Sequence, residues 1–260
     1  MVNQLTDKQV ELKEFKISYL EGGLASNSAP IIFLPGWSVS VETYRESLKA
    51  LSNRYQVIAP DLPGFCKSTS PTFLQNYQDY ANCIITFVNT LNLKKVHLIG
   101  HSIGGAIAIA IAASMPSLVS SLVVVDSTGV PMGSLPEVLL RRSIELPAQL
   151  GSIKIDAVST MFQSSLYNCL FNTQNVIQTA KISLEEDVRP LLSQIESPSL
   201  VLWAENDRFT PLKLGQEIAQ GIKGSRLVVV EGEYHELSMF RPEKLAPIIF
   251  DFLDEVEELR

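Results

Sequence analysis

Along this chain of 260 residues, short apolar runs alternate with longer stretches of helical periodicity. The runs at residues 31–34, 57–59, 96–99, 122–125, 200–203 and 227–230 have the length and β-branched content of strands buried on both faces. Several stop at residues that end a strand, namely Pro35-Gly36, Pro60-Asp61, Gly100 and Asp126. A weaker alternation from about Val10 to Tyr19 predicts a strand or hairpin ahead of them. Helical spacing fills residues 43–51, 77–91, 103–115 and 212–222, and a final helix is expected over 242–259, with Pro242 suited to its first turn. Strands alternating with helices predict an α/β fold, a parallel sheet with helices on both faces.

The interval 130–186 breaks this rhythm. It holds no clear strand and three amphipathic pieces, at 135–144, 157–171 and from 175 onward. Its apolar residues, among them Leu139, Ile144, Leu146, Met161, Phe162, Leu166 and Phe171, exceed what a solvated linker needs. We read it as a helical cap (lid) with an apolar inner face, inserted into a core made of residues 1–129 and 187–260. The length suits one large domain, or one domain carrying an inserted subdomain.

Composition narrows the picture further. Hydrophobic residues make up 46% of the chain and charged residues 19%, which favours a packed core over disorder. The net charge is −7, and no Lys/Arg cluster could track a phosphate backbone, so nucleic acid is not expected as a partner. Cys66, Cys83 and Cys169 form neither a C-x-x-C pair nor a cluster with histidine, and are expected as buried or partly buried free thiols. No metal and no organic cofactor is expected, since there is no H-E-x-x-H and no phosphate-cradling glycine loop. The first twenty residues lack a basic segment followed by an apolar one, and the longest apolar run, 103–113, is too short to span a bilayer. No integral membrane segment is therefore expected, and the cytosol is the expected location.

The strongest chemical signal is the stretch from Val96 to Ala106, which reads strand, then Gly100-His101-Ser102-Ile103-Gly104, then helix. A sharp strand-to-helix turn strains the central residue and projects its side chain clear of the sheet. Glycines are needed where the two backbones approach. The same turn aims the first N–H groups of the helix, including that of Ile103, at an anion forming beside Ser102. A serine nucleophile needs a base, and the chain has three histidines. His97 lies inside a predicted strand, and the side chain of His101 would point away from the line of attack. His235, in the loop after the last predicted strand, is left as the base by elimination. A carboxylate must then orient the imidazole. Asp207, just past the end of a strand, is favoured over Asp126, while Glu205 follows its strand too closely.

The order Ser102, Asp207, His235, together with the elbow GHSIGG and the runs LPGW and DLPGF, resembles the α/β-hydrolase superfamily over nearly the whole chain. The resemblance implies a mostly parallel eight-stranded sheet with the active site under a cap. It also implies an oxyanion hole from the backbone N–H groups of Trp37 and Ile103. The chain departs from the family where Pro35 replaces a frequent histidine, Cys66 a glycine, and Ala204 another glycine. A haloalkane dehalogenase would carry aspartate where Ser102 stands, and the menaquinone-pathway members carry arginine shortly after the elbow, where this chain has Ala106.

The expected activity is hydrolysis of a carboxylic ester with a substantially apolar acyl or alcohol part, on a small-molecule substrate. The same machinery serves thioesters, amides and carbon–carbon bonds. A ligand receptor on the hydrolase scaffold and cofactor-free peroxide chemistry are the readings from other classes. Lys67, Arg141, Arg142 and Arg208 are each expected as solvated surface charge rather than as an anion receptor.

Overall fold

The computed structural model describes residues 4–23, 28–71, 73–149 and 155–258, without the side chains of residues 146 and 155–157. The side chain of Leu146 and the parts of the expected ranges at 1–3, 24–27, 72, 150–154 and 259–260 therefore lie outside the described residues. The predicted opening strand is a hairpin of β1 (Thr6–Glu11) and β2 (Lys16–Gly22). β3 (Ile31–Leu34), a one-turn 3-10 helix (Val41–Tyr44), α1 (Arg45–Ser52), β4 (Val57–Pro60) and α2 (Tyr77–Thr90) follow. Next come β5 (Val96–His101), α3 (Ile103–Ser114) and β6 (Val119–Val125). Three long helices then occupy the interval without strands, α4 (Leu135–Gln149), α5 (Ile155–Phe171) and α6 (Thr173–Glu185). The chain ends through α7 (Arg189–Leu192), β7 (Ser199–Ala204), α8 (Leu212–Gly221), β8 (Arg226–Val230), α9 (Leu237–Phe240) and α10 (Pro242–Glu258).

The eight strands form one sheet in the order β1-β2-β4-β3-β5-β6-β7-β8. Pairing is antiparallel at β1–β2 and β2–β4 and parallel across the rest. Successive side chains of a strand point to opposite faces, and here both faces are covered. Ile32, Leu34, Leu98, Val124 and Trp203 fall in one apolar core with α2, α3 and α8, for example Phe87, Ile107 and Ile218. Ile31, Phe33, Ile99, Val125 and Leu202 fall in the other, with Leu48 of α1 and Ile249 and Leu253 of α10. This is why the strands read as continuous apolar runs. β8 is the exception: it lies at the sheet edge, and Val229 is exposed, contrary to the expectation of burial on both faces. With a neighbour on one side alone, it lacks the cover that central strands receive.

The parallel register brings the ends of several strands to one edge. Leu34 pairs with Gly100, His101 with Val125, and Val125 with Leu202. The residues that follow these strands, 35–37, 102–103, 126 and 205–210, therefore emerge together, which is where open α/β sheets bind ligands.

At the β5–α3 turn the backbones nearly touch. A Cβ on Gly100 would lie 2.2 Å from the Gly104 carbonyl oxygen, and one on Gly104 would lie 2.4 Å from that of Leu34. Neither neighbour is a flexible side chain that could yield. Gly104→Ala is expected to destabilise the protein by about 1–3 kcal/mol, the usual range for overpacking. A lower denaturation midpoint in urea at unchanged slope would report it; an unchanged midpoint would contradict the close packing.

Candidate active site

Ser102 sits between β5 and α3 with φ 55° and ψ −123°, a left-handed conformation that serine adopts at a cost. Its N–H donates to the Val125 carbonyl (3.0 Å), and its own carbonyl accepts from Gly105 N–H (2.9 Å) and Thr128 N–H (3.2 Å). These bonds keep the strained residue in place. Ile103 is the first residue of α3, so its N–H has no partner within the helix. The loop after β3 passes close by: a Cβ on Gly36 would lie 3.4 Å from Ser102 Cβ.

The geometry joins the three residues singled out in the sequence. His235 Nε2 is 3.2 Å from Ser102 Oγ, and His235 Nδ1 is 2.8 Å from Asp207 Oδ2. All three are buried. Asp126 takes a different place, accepting the Ala204 N–H at Oδ1 (2.7 Å). Burial and the neighbouring Asp207 hold its carboxyl well above the usual carboxylate range. His97 is a core residue bridging Ser121 Oγ and Glu257. Glu205 lies at the surface and accepts the Gly232 N–H.

His101 does turn away from Ser102. Its Nε2 faces the His235 carbonyl oxygen (2.9 Å), which can only accept, so Nε2 carries the proton. Its Nδ1 then accepts from the Tyr44 hydroxyl (2.7 Å), and that hydroxyl accepts the Gly36 N–H (2.8 Å). Burial keeps the His101 imidazole neutral. One chain of hydrogen bonds thus runs from the β3 loop through the elbow to the backbone of His235. The opposite side of that residue is held too: the His235 N–H donates to Glu145 Oε1 of α4 (3.2 Å).

Three other residues of the site were not legible in sequence. Thr210 donates from its backbone N (2.7 Å) and its hydroxyl (2.5 Å) to the two Asp207 oxygens. Its spacing of three from Asp207 was the available signal, since short polar side chains often bond backbone N–H groups a few residues on. Tyr44 and Glu145 carried no local signal, because their partners are far away in the chain.

Arg142 is a correction to the sequence reading. Its side chain is 20% exposed, and it pairs with Glu145 (3.1 Å) and Glu236 beside the site. Cys169 is likewise exposed where a buried or partly buried thiol was expected. The amphipathic pieces face two ways: Val138 and Leu139 of α4 and Met161 of α5 line the cavity over Ser102, while other apolar residues face solvent. Ile144, Phe162, Leu166 and Phe171 are exposed, from 47% to 70%. Helical periodicity shows that an apolar face exists without showing what it meets.

A cavity of about 250 Å³ opens onto Ser102 and His235. Trp37, Val39, Val138, Leu139, Met161 and Met239 make most of its wall apolar, and Phe209 packs edge-on against the His235 ring at 4.8 Å. A larger hollow of about 510 Å³, lined by Asp61, Cys66, Lys67 and Tyr167 among others, contains none of the three residues. Trp37 is partly exposed, yet its indole N–H reaches the Val176 carbonyl and Thr179 Oγ1 of α6.

Burial drives the His235 imidazole well below its ordinary range, and the Arg142 cation adds to this against the opposing charge of Glu145. Burial raises Asp207, while the two Thr210 hydrogen bonds and Arg142 lower it. A neutral imidazole facing a serine hydroxyl can accept its proton, and a carboxylate behind it can stabilise the resulting cation.

A family model for the alpha/beta hydrolase fold matches residues 29–168, just over half of the chain, and a second, described as TAP-like protein, matches residues 159–256. The chain belongs to the α/β-hydrolase superfamily and is a hydrolase of that fold. An uncharacterized hydrolase of Bacillus subtilis (strain 168) is 27% identical over 244 residues, 86% of this chain and 89% of the relative. The 2-hydroxy-6-oxononadienedioate/2-hydroxy-6-oxononatrienedioate hydrolase 1 of Pseudomonas putida is 30% identical over 240 residues, 84% and 83% of the two chains. A crystal structure of a bacterial membrane phospholipase A is similar with a TM-score of 0.82 and 26% identity, over 97% of this chain and 87% of that one. Among the described residues no helix is long and apolar enough to cross a membrane.

Arg142 lowers both His235 and Asp207, so Arg142→Gln is expected to raise both, and the His235 titration should move to higher pH. An imidazole NMR titration checks this, and an unmoved or lower midpoint would contradict it. Tyr44→Phe keeps the ring but leaves buried polar groups of Gly36 and His101 without their bridge. A loss of about 1–3 kcal/mol in denaturant unfolding is expected.

Proposed function

We propose that this protein is a serine hydrolase cleaving a carboxylic ester of a small molecule with a substantially apolar acyl or alcohol part. The observation that carries the reading is the unbroken, buried relay Ser102–His235–Asp207 at the floor of a largely apolar cavity. In this reading Ser102 Oγ attacks the ester carbonyl carbon while His235 Nε2 takes the hydroxyl proton. The Trp37 and Ile103 N–H groups hold the oxyanion. Collapse of the tetrahedral adduct breaks the bond to the alcohol oxygen, which leaves with the proton from His235. Water, deprotonated by the same imidazole, then attacks the acyl-enzyme and releases the acid.

Residues 130–186 act as the cap over a core of residues 1–129 and 187–260. We place the protein in the cytosol, in keeping with Cys66, Cys83 and Cys169, which are all free thiols.

A second reading is hydrolysis of a carbon–carbon bond. It rests on the Pseudomonas putida relative, whose named substrates, oxo-dienedioates and oxo-trienedioates, contain no ester or amide link. Those substrates are dianions. The Arg142 cation beside Ser102 is already matched by two carboxylates, Glu145 and Glu236, which favours the neutral ester.

The test is turnover of p-nitrophenyl esters from acetate to palmitate, with Ser102→Ala beside the wild type. The cavity lies just below the range of about 300–1,000 Å³ common for ligand pockets. Short acyl chains are therefore expected to be favoured, and Ser102→Ala is expected to lower kcat by roughly 10⁴-fold or more. Undiminished turnover in the variant, or none in the wild type with any of these esters, would overturn the ester reading.

A further inference from the structure

The loops that carry Asp207 and His235 share a ligand that comes from neither of them. Glu145, on α4, is fully buried, and its carboxylate accepts the Phe209 N–H at Oε2 (3.1 Å) and the His235 N–H at Oε1 (3.2 Å). Gln149, one turn further along α4, donates its amide to Oε1 (3.0 Å), and Arg142, one turn earlier, pairs with Oε2 (3.1 Å). Four donors thus surround one buried carboxylate. Arg142 continues the contact to Glu236, the residue after His235. A buried carboxylate is retained where charge and hydrogen bonds match it, and charge-assisted bonds to backbone N–H groups are the stronger kind.

The arrangement is asymmetric in a useful way. The core holds the His235 carbonyl through His101, but the His235 N–H and the Phe209 N–H are held by an inserted helix. α4 also supplies Val138, Leu139 and Arg142 to the wall of the cavity over Ser102. Any movement of α4 that admits or releases a ligand removes the acceptor from both loops at once.

Resting on the serine-hydrolase reading above, we infer that Glu145 is a positioning residue through which α4 sets the loops of Asp207 and His235, coupling closure of the inserted helices to assembly of the triad. With α4 seated, the imidazole is aligned between Ser102 Oγ and Asp207. With α4 displaced, two backbone N–H groups lose their acceptor and the imidazole loses its register. Ligand binding and nucleophile activation are then one event, which restrains the serine while the cavity is open.

Glu145→Gln tests this with little change in shape. The carboxamide offers one acceptor and one donor where four donors converge, so at least one loop loses its bond. The readout is reaction of Ser102 with a small alkyl fluorophosphonate, in which the Ser102 Oγ–P bond forms, fluoride leaves, and His235 accepts the proton. This probe requires no knowledge of the natural substrate. The maximal inactivation rate is expected to fall by ~10-fold or more in Glu145→Gln, while half-saturation changes by less than about threefold, as for misplacement of a catalytic group rather than loss of binding. Equal maximal rates in variant and wild type would overturn the inference alone. No labelling of the wild type would overturn the serine-nucleophile reading, and this inference with it.

Should the variant not fold, native-state amide exchange on the wild type decides. The Phe209 and His235 amides are expected to open together with α4, ahead of β5 and β6. Their continued protection while α4 exchanges would overturn the inference.

Discussion

The backbone at Ser102 is held in a conformation that an L-residue avoids, and the surrounding structure exists in large part to hold it there. β5 must end, turn within one residue and begin α3 while the two backbones remain in contact. Gly100 and Gly104 permit that approach because any side chain would meet a carbonyl oxygen. α3 is buried on every side, from Ile103 through Ala112, so the helix cannot shift to relieve the turn. Hydrogen bonds to both the N–H and the carbonyl of Ser102 complete the restraint. The strand order then brings Asp207 and His235 to the same edge, since β7 ends level with β6 and β5, and β8 ends level with β7.

Around this fixed point the polar groups are arranged to leave little freedom. Thr210 meets both oxygens of Asp207, which therefore presents one oxygen to His235 in a defined direction. The peptide groups on either side of His235 are gripped from opposite directions, by His101 at the end of β5 and Glu145 of α4. Tyr44 satisfies the Gly36 N–H in a loop where Pro35 stands in place of the histidine frequent in this family. In a buried site each such bond matters more than it would in water, because the unpaired group has no solvent to fall back on.

Helices α4, α5 and α6 also hold the loops around Ser102. α5 docks through Asn168, which accepts the Cys66 N–H and donates to the Ser38 carbonyl, both in loops at the same sheet edge. α6 docks on the indole of Trp37. Each of these contacts fastens a loop whose backbone lies near Ser102, so α5 and α6 are mechanically linked to its surroundings. The charges follow the same economy: Arg142 faces the cavity region but is matched by Glu145 and Glu236, leaving a wall that is apolar and close to neutral.

Much of this was legible in the chain because it depends on local pattern. Apolar runs of strand length, separated by helical periodicity, specified the sheet and its helices. Gly100-His101-Ser102-Ile103-Gly104 specified the turn, because only small residues allow that backbone path. The order of Asp207 and His235 after late strands placed them on the same edge. What the sequence did not determine are the contacts between residues distant along the chain. Tyr44 against His101, Glu145 against His235 and Phe209, and Trp37 against α6 span from 57 to 142 positions, and no periodicity encodes them. The same holds for the facing of α4, α5 and α6, where an apolar stripe reads alike whether it covers a core or meets solvent. Arg142 and Cys169 were misplaced for that reason. Local chemistry decides which turn or helix a segment forms, but burial is a property of what packs against it, and that is settled only when the whole chain is folded.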